Sequence, residues 1–108
     1  MEKNKELARI FERMADMLEF LGDNPYRIST YRRVAEVLSE LGEDVEELVR
    51  TGKIYHIHGL GHSSLEKIMV YLRTGKVSAY EELRQKVPED LLELLEVPGV
   101  GLSRRMSY

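Results

Sequence analysis

Apolar residues recur every three or four positions through most of this chain. From Lys3 to Leu21 they are Leu7, Ile10, Phe11, Met14, Met17, Leu18 and Leu21, with charged side chains between them. That period predicts an amphipathic helix with one face in a core, stopped at Gly22. Asp23-Asn24-Pro25 opens a second helix, with Asn24 or Asp23 as cap and Pro25 in the first turn. Its inward residues are Tyr31, Val34, Ala35, Leu38 and Leu41, and Arg32 and Arg33 point away from them, as a solvated face would. Glu43 to Arg50 reads as a short helix on Val45, Leu48 and Val49, ended by Gly52. Leu65, Ile68, Met69 and Leu72 mark a longer one that ends at Thr74-Gly75-Lys76, with Lys67 opposite its apolar stripe and Ser63 and Tyr71 one turn away on either side. Tyr80, Leu83 and Val87 suggest a further helix, and Pro88-Glu89-Asp90 opens a last one through Leu91, Leu92, Leu94 and Leu95. The expected fold is all-α: five or six short helices in a compact bundle, without a sheet. Leu7, Phe11, Met14, Leu18, Val34, Leu38, Leu48, Leu60, Leu65, Ile68 and Leu72 should share one core.

The stretch Ile57-His58-Gly59-Leu60-Gly61-His62-Ser63-Ser64-Leu65-Glu66-Lys67 breaks this pattern. Two glycines flank Leu60, which can plug the turn into the core. Both Gly59 and Gly61 permit positive φ and close approach of backbone to another molecule, and a β-branched residue at Gly61 would be forced into a turn expected to need it. Ser63 and Glu66 have the spacing of a capping box, so a helix should start there. Its first amides, at the positive end of the helix, would face an anion. The turn is echoed by Val97-Pro98-Gly99-Val100-Gly101, and Arg-Thr-Gly-Lys occurs at both 50–53 and 73–76.

With 108 residues the chain is one domain, or one domain plus a fragment, with a modest core. A net charge of −3 argues against a binder that works by bulk positive charge. It leaves open one whose donors are neutral backbone amides. There is no cysteine, so a disulfide framework and a cysteine-ligated metal are both excluded. No apolar run approaches membrane-spanning length and no signal peptide is expected. A soluble, cytoplasmic monomer is the expectation. His56, His58 and His62 invite a zinc reading, but two of them flank a tight turn and no fourth ligand suggests itself.

Hydrophobic-x-Gly-hydrophobic-Gly leading into a helix resembles the helix-hairpin-helix motif. The ordered set Gly-Leu-Gly, Leu-Glu-Lys and Thr-Gly-Lys between Ile57 and Lys76 is similar to the amino-terminal domain of family X DNA polymerases, of the DNA polymerase beta type. The likeness runs from Asn4-Lys5-Glu6-Leu7 to the Val97–Gly101 turn. It implies a helical DNA-binding domain with the first hairpin over residues 1–87, and the start of a second over 88–108. Little chain follows that second turn, so it is expected to be incomplete, with the last residues frayed or loosely helical. A polymerase domain would follow it in the family, and no nucleotidyl transfer is expected of this chain.

What the resemblance implies about residues is specific. DNA at a gap or nick would be gripped through its backbone by Gly59, Leu60, Gly61 and Ser63, with Lys76, Gly99 and Gly101 adding contacts. Arg27 and Tyr31, four apart on the second helix, fall where the family holds a 5′-phosphate. Lys67 falls on the nucleophile of a 5′-deoxyribose-phosphate lyase, which acts through a Schiff base and β-elimination. Such a lysine must be neutral to attack; an unperturbed one, with a pKa of about 10.4, is neutral in roughly one molecule in two or three thousand at pH 7. Neighbouring cations or desolvation would have to raise that fraction. Two departures matter: Ser63 stands where the family has a phosphate-binding lysine, and His58 where it has proline. No organic cofactor is implied, only a potassium or sodium ion held by the main-chain carbonyls of Tyr55, Ile57 and Leu60. The functions left open are binding of gapped or nicked DNA with lyase activity in base-excision-type repair, DNA binding alone, and a protein-interaction module.

Overall fold

The structure, a computed structural model, describes residues 1–97. Among them are six α-helices, one 3-10 helix and no strand, so the all-α expectation holds. The two longest, α1 (Glu2–Phe20) and α2 (Pro25–Glu40), form the most extensive helix pair. Leu7, Phe11, Met14 and Leu18 of α1 meet Tyr31, Val34, Ala35 and Leu38 of α2 in a core that excludes water almost completely. Leu21, expected in the stripe, is instead the residue that ends α1 and stays substantially exposed.

Asn24 rather than Asp23 caps α2: its side-chain oxygen accepts the Tyr26 N–H at 2.7 Å. Asp23 accepts the Asn24 N–H and pairs with Arg27 at 3.3 Å. Next come α3 (Val45–Thr51), a 3-10 turn (Lys53–His56) and α4 (His62–Thr74), which carries Leu65 and Ile68 into the core. Asn4, buried in the first turn of α1, fixes where α3 begins. Its Nδ2 donates to the Glu43 carbonyl and its Oδ1 accepts the Val45 N–H, both at 2.8 Å. Two short helices, α5 (Ser78–Arg84) and α6 (Glu89–Leu95), close the described part through Tyr80, Leu83, Leu91 and Leu95. Of the expected core, ten residues are buried and Leu72 is partly so. The Val97–Gly101 turn, the rest of the 88–108 unit and the fraying of the last residues lie outside the described residues.

Two polar side chains depart from the helical-wheel reading. Asp16 follows the apolar Met14-Ala15 pair and is fully buried, because α1 is covered all round from Met14 to Leu18. Arg32, expected on a solvated face, turns inward to it. One guanidinium nitrogen lies 2.9 Å from Glu12 and 3.0 Å from Asp16, and the other 2.6 Å from Glu19. Burial opposes the charge on Arg32, but the hydrogen bonds to Glu19 and Asp16 outweigh it and hold the guanidinium above its ordinary pKa.

Tyr71 is a third departure. Placed by the wheel on the face opposite the core, it is buried, and its hydroxyl donates to the Glu6 carboxylate at 2.6 Å. Burial, and then that hydrogen bond, push its phenol up to about 12. The folded state therefore favours the protonated form. The resulting stability is complete below the unfolded value near 10 and is lost as pH rises through about 12. We expect Tyr71→Phe to cost about 1 kcal/mol in urea unfolding near neutral pH. The gap between wild type and variant should close between about pH 10 and 12. A gap that persists unchanged above that window would show that the hydroxyl does not carry it.

Candidate nucleic-acid interface

Between the 3-10 turn and α4 the chain reverses over Ile57 to Gly61. Leu60 is buried, so the plug expected between the glycines is in place. Gly59 carries the positive φ, at +96°, and a Cβ built on it would stand 2.9 Å from Cγ2 of Val37 on α2. Gly61 does not: its φ is −84° and a Cβ there would meet nothing within 4 Å. Of the two glycines expected to allow positive φ, only Gly59 uses it, so the demand does not fall on Gly61. The turn takes its positive-φ residue where it lies against Val37 and Arg33 of α2, and by Gly61 it has already straightened into extended backbone.

The capping box does not form either. Helix α4 begins at His62 with Gly61 as its cap, and no side chain accepts a hydrogen bond from its first turn. The hydroxyl of Ser63 instead accepts from the Lys67 ammonium at 2.8 Å. Glu66 faces His62, 3.7 Å away. The leading amides of α4 thus keep their donors free of side-chain caps, at the positive end of a helix of thirteen residues. This is a surface that favours an anion.

Beside it the fold assembles a cluster that no single segment contains. Tyr31 of α2 is buried, with its ring tilted against Phe11 at 5.8 Å between centroids. Arg27 lies 5.8 Å from the centroid of that ring and Lys67 of α4 lies 5.7 Å from it. Two cations from different helices therefore share one aromatic ring, an arrangement in which the ring quadrupole offsets part of their repulsion. Lys67 is half-buried rather than fully on the surface. Arg27, Tyr31, Ser63 and Lys67 come together as one group. Lys76 does not join them: it follows the far end of α4, about 20 Å of helix rise from Ser63. Gly99 and Gly101 lie outside the described residues.

The carbonyls of Tyr55, Ile57 and Leu60 accept no backbone hydrogen bond in the turn. As free oxygen donors they fit a hard monovalent cation in chemistry. Among the described residues no group of three or more histidine, cysteine or acidic side chains is placed to hold a metal ion, and none of their helices is long and apolar enough to cross a membrane. Sequence reasoning read Arg33 only as part of a solvated face and did not single out Tyr26. Arg33 runs beside the hairpin glycine, and Tyr26, next to Arg27 in the first turn of α2, exposes 81% of its surface. An exposed tyrosine at a helix start would have been the only signal for the latter.

Comparison with known proteins covers the same elements. A helix-hairpin-helix domain model matches residues 2–77. The chain is also 34% identical, over 97 residues, to the amino-terminal part of the DNA polymerase/3′-5′ exonuclease PolX of Bacillus subtilis (strain 168). That similarity takes in 90% of this chain and 16% of the relative, so the chain spans about one sixth of the length of the protein it matches. The resemblance to family X polymerases is therefore supported by direct similarity. With the family match running unbroken from the first residues of α1 through the glycine turn to the end of α4, this chain belongs to the helix-hairpin-helix domain family.

Proposed function

We propose that the chain binds the backbone of gapped or nicked DNA without reading sequence, and that it holds a 5′-phosphate at the break. The observation that carries this is the group formed by Arg27, Tyr31, Ser63 and Lys67 beside the uncapped first turn of α4. Neutral amides and a few cations suffice for such a grip, which reconciles it with a net charge of −3. The similarity to a polymerase that acts on DNA supports the same reading. The free carbonyls of Tyr55, Ile57 and Leu60 would hold a potassium or sodium ion, whose charge would draw a phosphate to the turn. Binding to gapped duplexes with and without a 5′-phosphate tests the reading. The phosphorylated end should bind more tightly, and the salt dependence should be shallow, about 0.9 in slope for each phosphate neutralised. Equal, undetectable affinity for both duplexes at low salt would favour a protein-interaction module instead.

The finer reading is 5′-deoxyribose-phosphate lyase activity with Lys67 as nucleophile. Its amine attacks the sugar aldehyde and water leaves, forming an imine that acidifies the neighbouring carbon. Loss of that proton expels the phosphate ester, and water then frees the lysine. Borohydride should trap a covalent adduct with a 5′-deoxyribose-phosphate flap. Lys67→Arg keeps the charge but holds a guanidinium that cannot form an imine, so trapping should fall at least about tenfold while affinity changes little. Undiminished trapping in that variant would place the nucleophile elsewhere, with Lys76 the next lysine to test.

A further inference from the structure

We infer that Arg33 is a separate phosphate contact, on the side of the hairpin away from the 5′-phosphate group. The inference rests on the DNA-binding reading above and extends it to a residue that the sequence pattern assigned to solvent. Helix α2 presents two functional faces. Arg27 and Tyr31, four apart, face Lys67, whereas Ser29, Arg33 and Val37, also four apart, line an open groove of about 480 Å³ with His58 and Gly59. Arg33 runs along the turn itself: its Cδ lies 4.0 Å from where a Cβ on Gly59 would stand.

Its charge is uncommitted. Arg9, Arg13, Arg27, Arg32, Arg50 and Arg84 each have a carboxylate within 4.0 Å. Among the described residues only Arg33 and Arg73 have none, and Arg73 sits in the last turn of α4, at the end away from the hairpin. Glu36 also lines the groove, yet it makes no ion pair with Arg33. An exposed guanidinium without a partner keeps its planar fork of donors for an incoming oxyanion. Arg32, next to it in sequence, cannot serve, since three carboxylates already surround it. A strand whose phosphate sits on the α4 amides would bring a neighbouring phosphate past Gly59 to this guanidinium. That contact lies along the strand rather than at its end.

The full chain is tested on gapped duplexes with and without a 5′-phosphate, with Arg33→Gln, Arg33→Lys and Arg73→Gln compared. Arg33→Gln should weaken both duplexes by the same factor, about fivefold, and lower the salt slope by about one. Its thermal midpoint should not move, because the guanidinium holds no partner in the fold. Arg33→Lys should recover most of the affinity and Arg73→Gln should match wild type. Wild-type affinity in Arg33→Gln would overturn this inference and leave the DNA-binding reading intact. A loss confined to the 5′-phosphorylated duplex would overturn it too, by placing Arg33 at the strand end. No binding of either duplex by the wild-type chain would instead overturn the reading beneath it.

Discussion

Gly59→Ala is expected to destabilise the chain by roughly 2–4 kcal/mol, while Gly61→Ala should change stability by less than about 0.5 kcal/mol. The two glycines lie one residue apart in the same turn, so only the backbone separates them. At Gly59 a side chain must adopt φ near +96°, which L residues rarely do, and its Cβ must stand 2.9 Å from Val37 Cγ2. Both terms act together, since Val37 is a β-branched side chain stiff at χ1 and packed against the core, with little freedom to swing away. At Gly61 the backbone is extended and the added methyl points into open space. That open space is where a phosphate would approach the α4 amides, so Gly61→Ala should weaken DNA binding without touching the fold. Urea unfolding of the two variants, with DNA affinity measured in parallel, separates the effects. Equal destabilisation by both substitutions would contradict the assignment of positive φ to Gly59 alone.

Arg32→Met should cost roughly 3–5 kcal/mol, the largest effect expected of any substitution outside the apolar core. Glu12 and Glu19, both partly exposed, would return to water when the guanidinium is removed. Asp16 has no such escape. Its Oδ1 would lose a 3.0 Å partner, and its Oδ2 already lacks a hydrogen bond, with Arg13 standing 3.6 Å away. The cost is therefore mostly that of a stranded buried carboxylate rather than of the ion pair itself. Replacing Asp16 by Asn in the Arg32→Met background removes that charge at constant shape and should restore roughly 1–2 kcal/mol. Additive losses in the double variant, with no recovery, would show that the two side chains do not act as one unit.

Local signals settled much of this molecule. The 3.6-residue period of apolar side chains requires only that a helix bury one face, so the helices and ten residues of the core could be read directly from it. Asn24 caps by reaching an amide two residues away, and two glycines around Leu60 announce a turn wherever they occur. The order of Gly-Leu-Gly, Leu-Glu-Lys and Thr-Gly-Lys was enough to place the family. What no periodicity could supply was the outcome of contacts between segments far apart in sequence. A side chain is barred at Gly59 partly because Val37 passes there, and Arg32 turns inward because α1 carries Asp16 to the same depth. Tyr71 is buried because Glu6 comes to meet its hydroxyl, sixty-five residues away in the chain. Lys67 shares a ring with Arg27 only once α4 has packed on α2. A helical wheel treats everything outside its own helix as water, and at each of these positions the neighbour was protein.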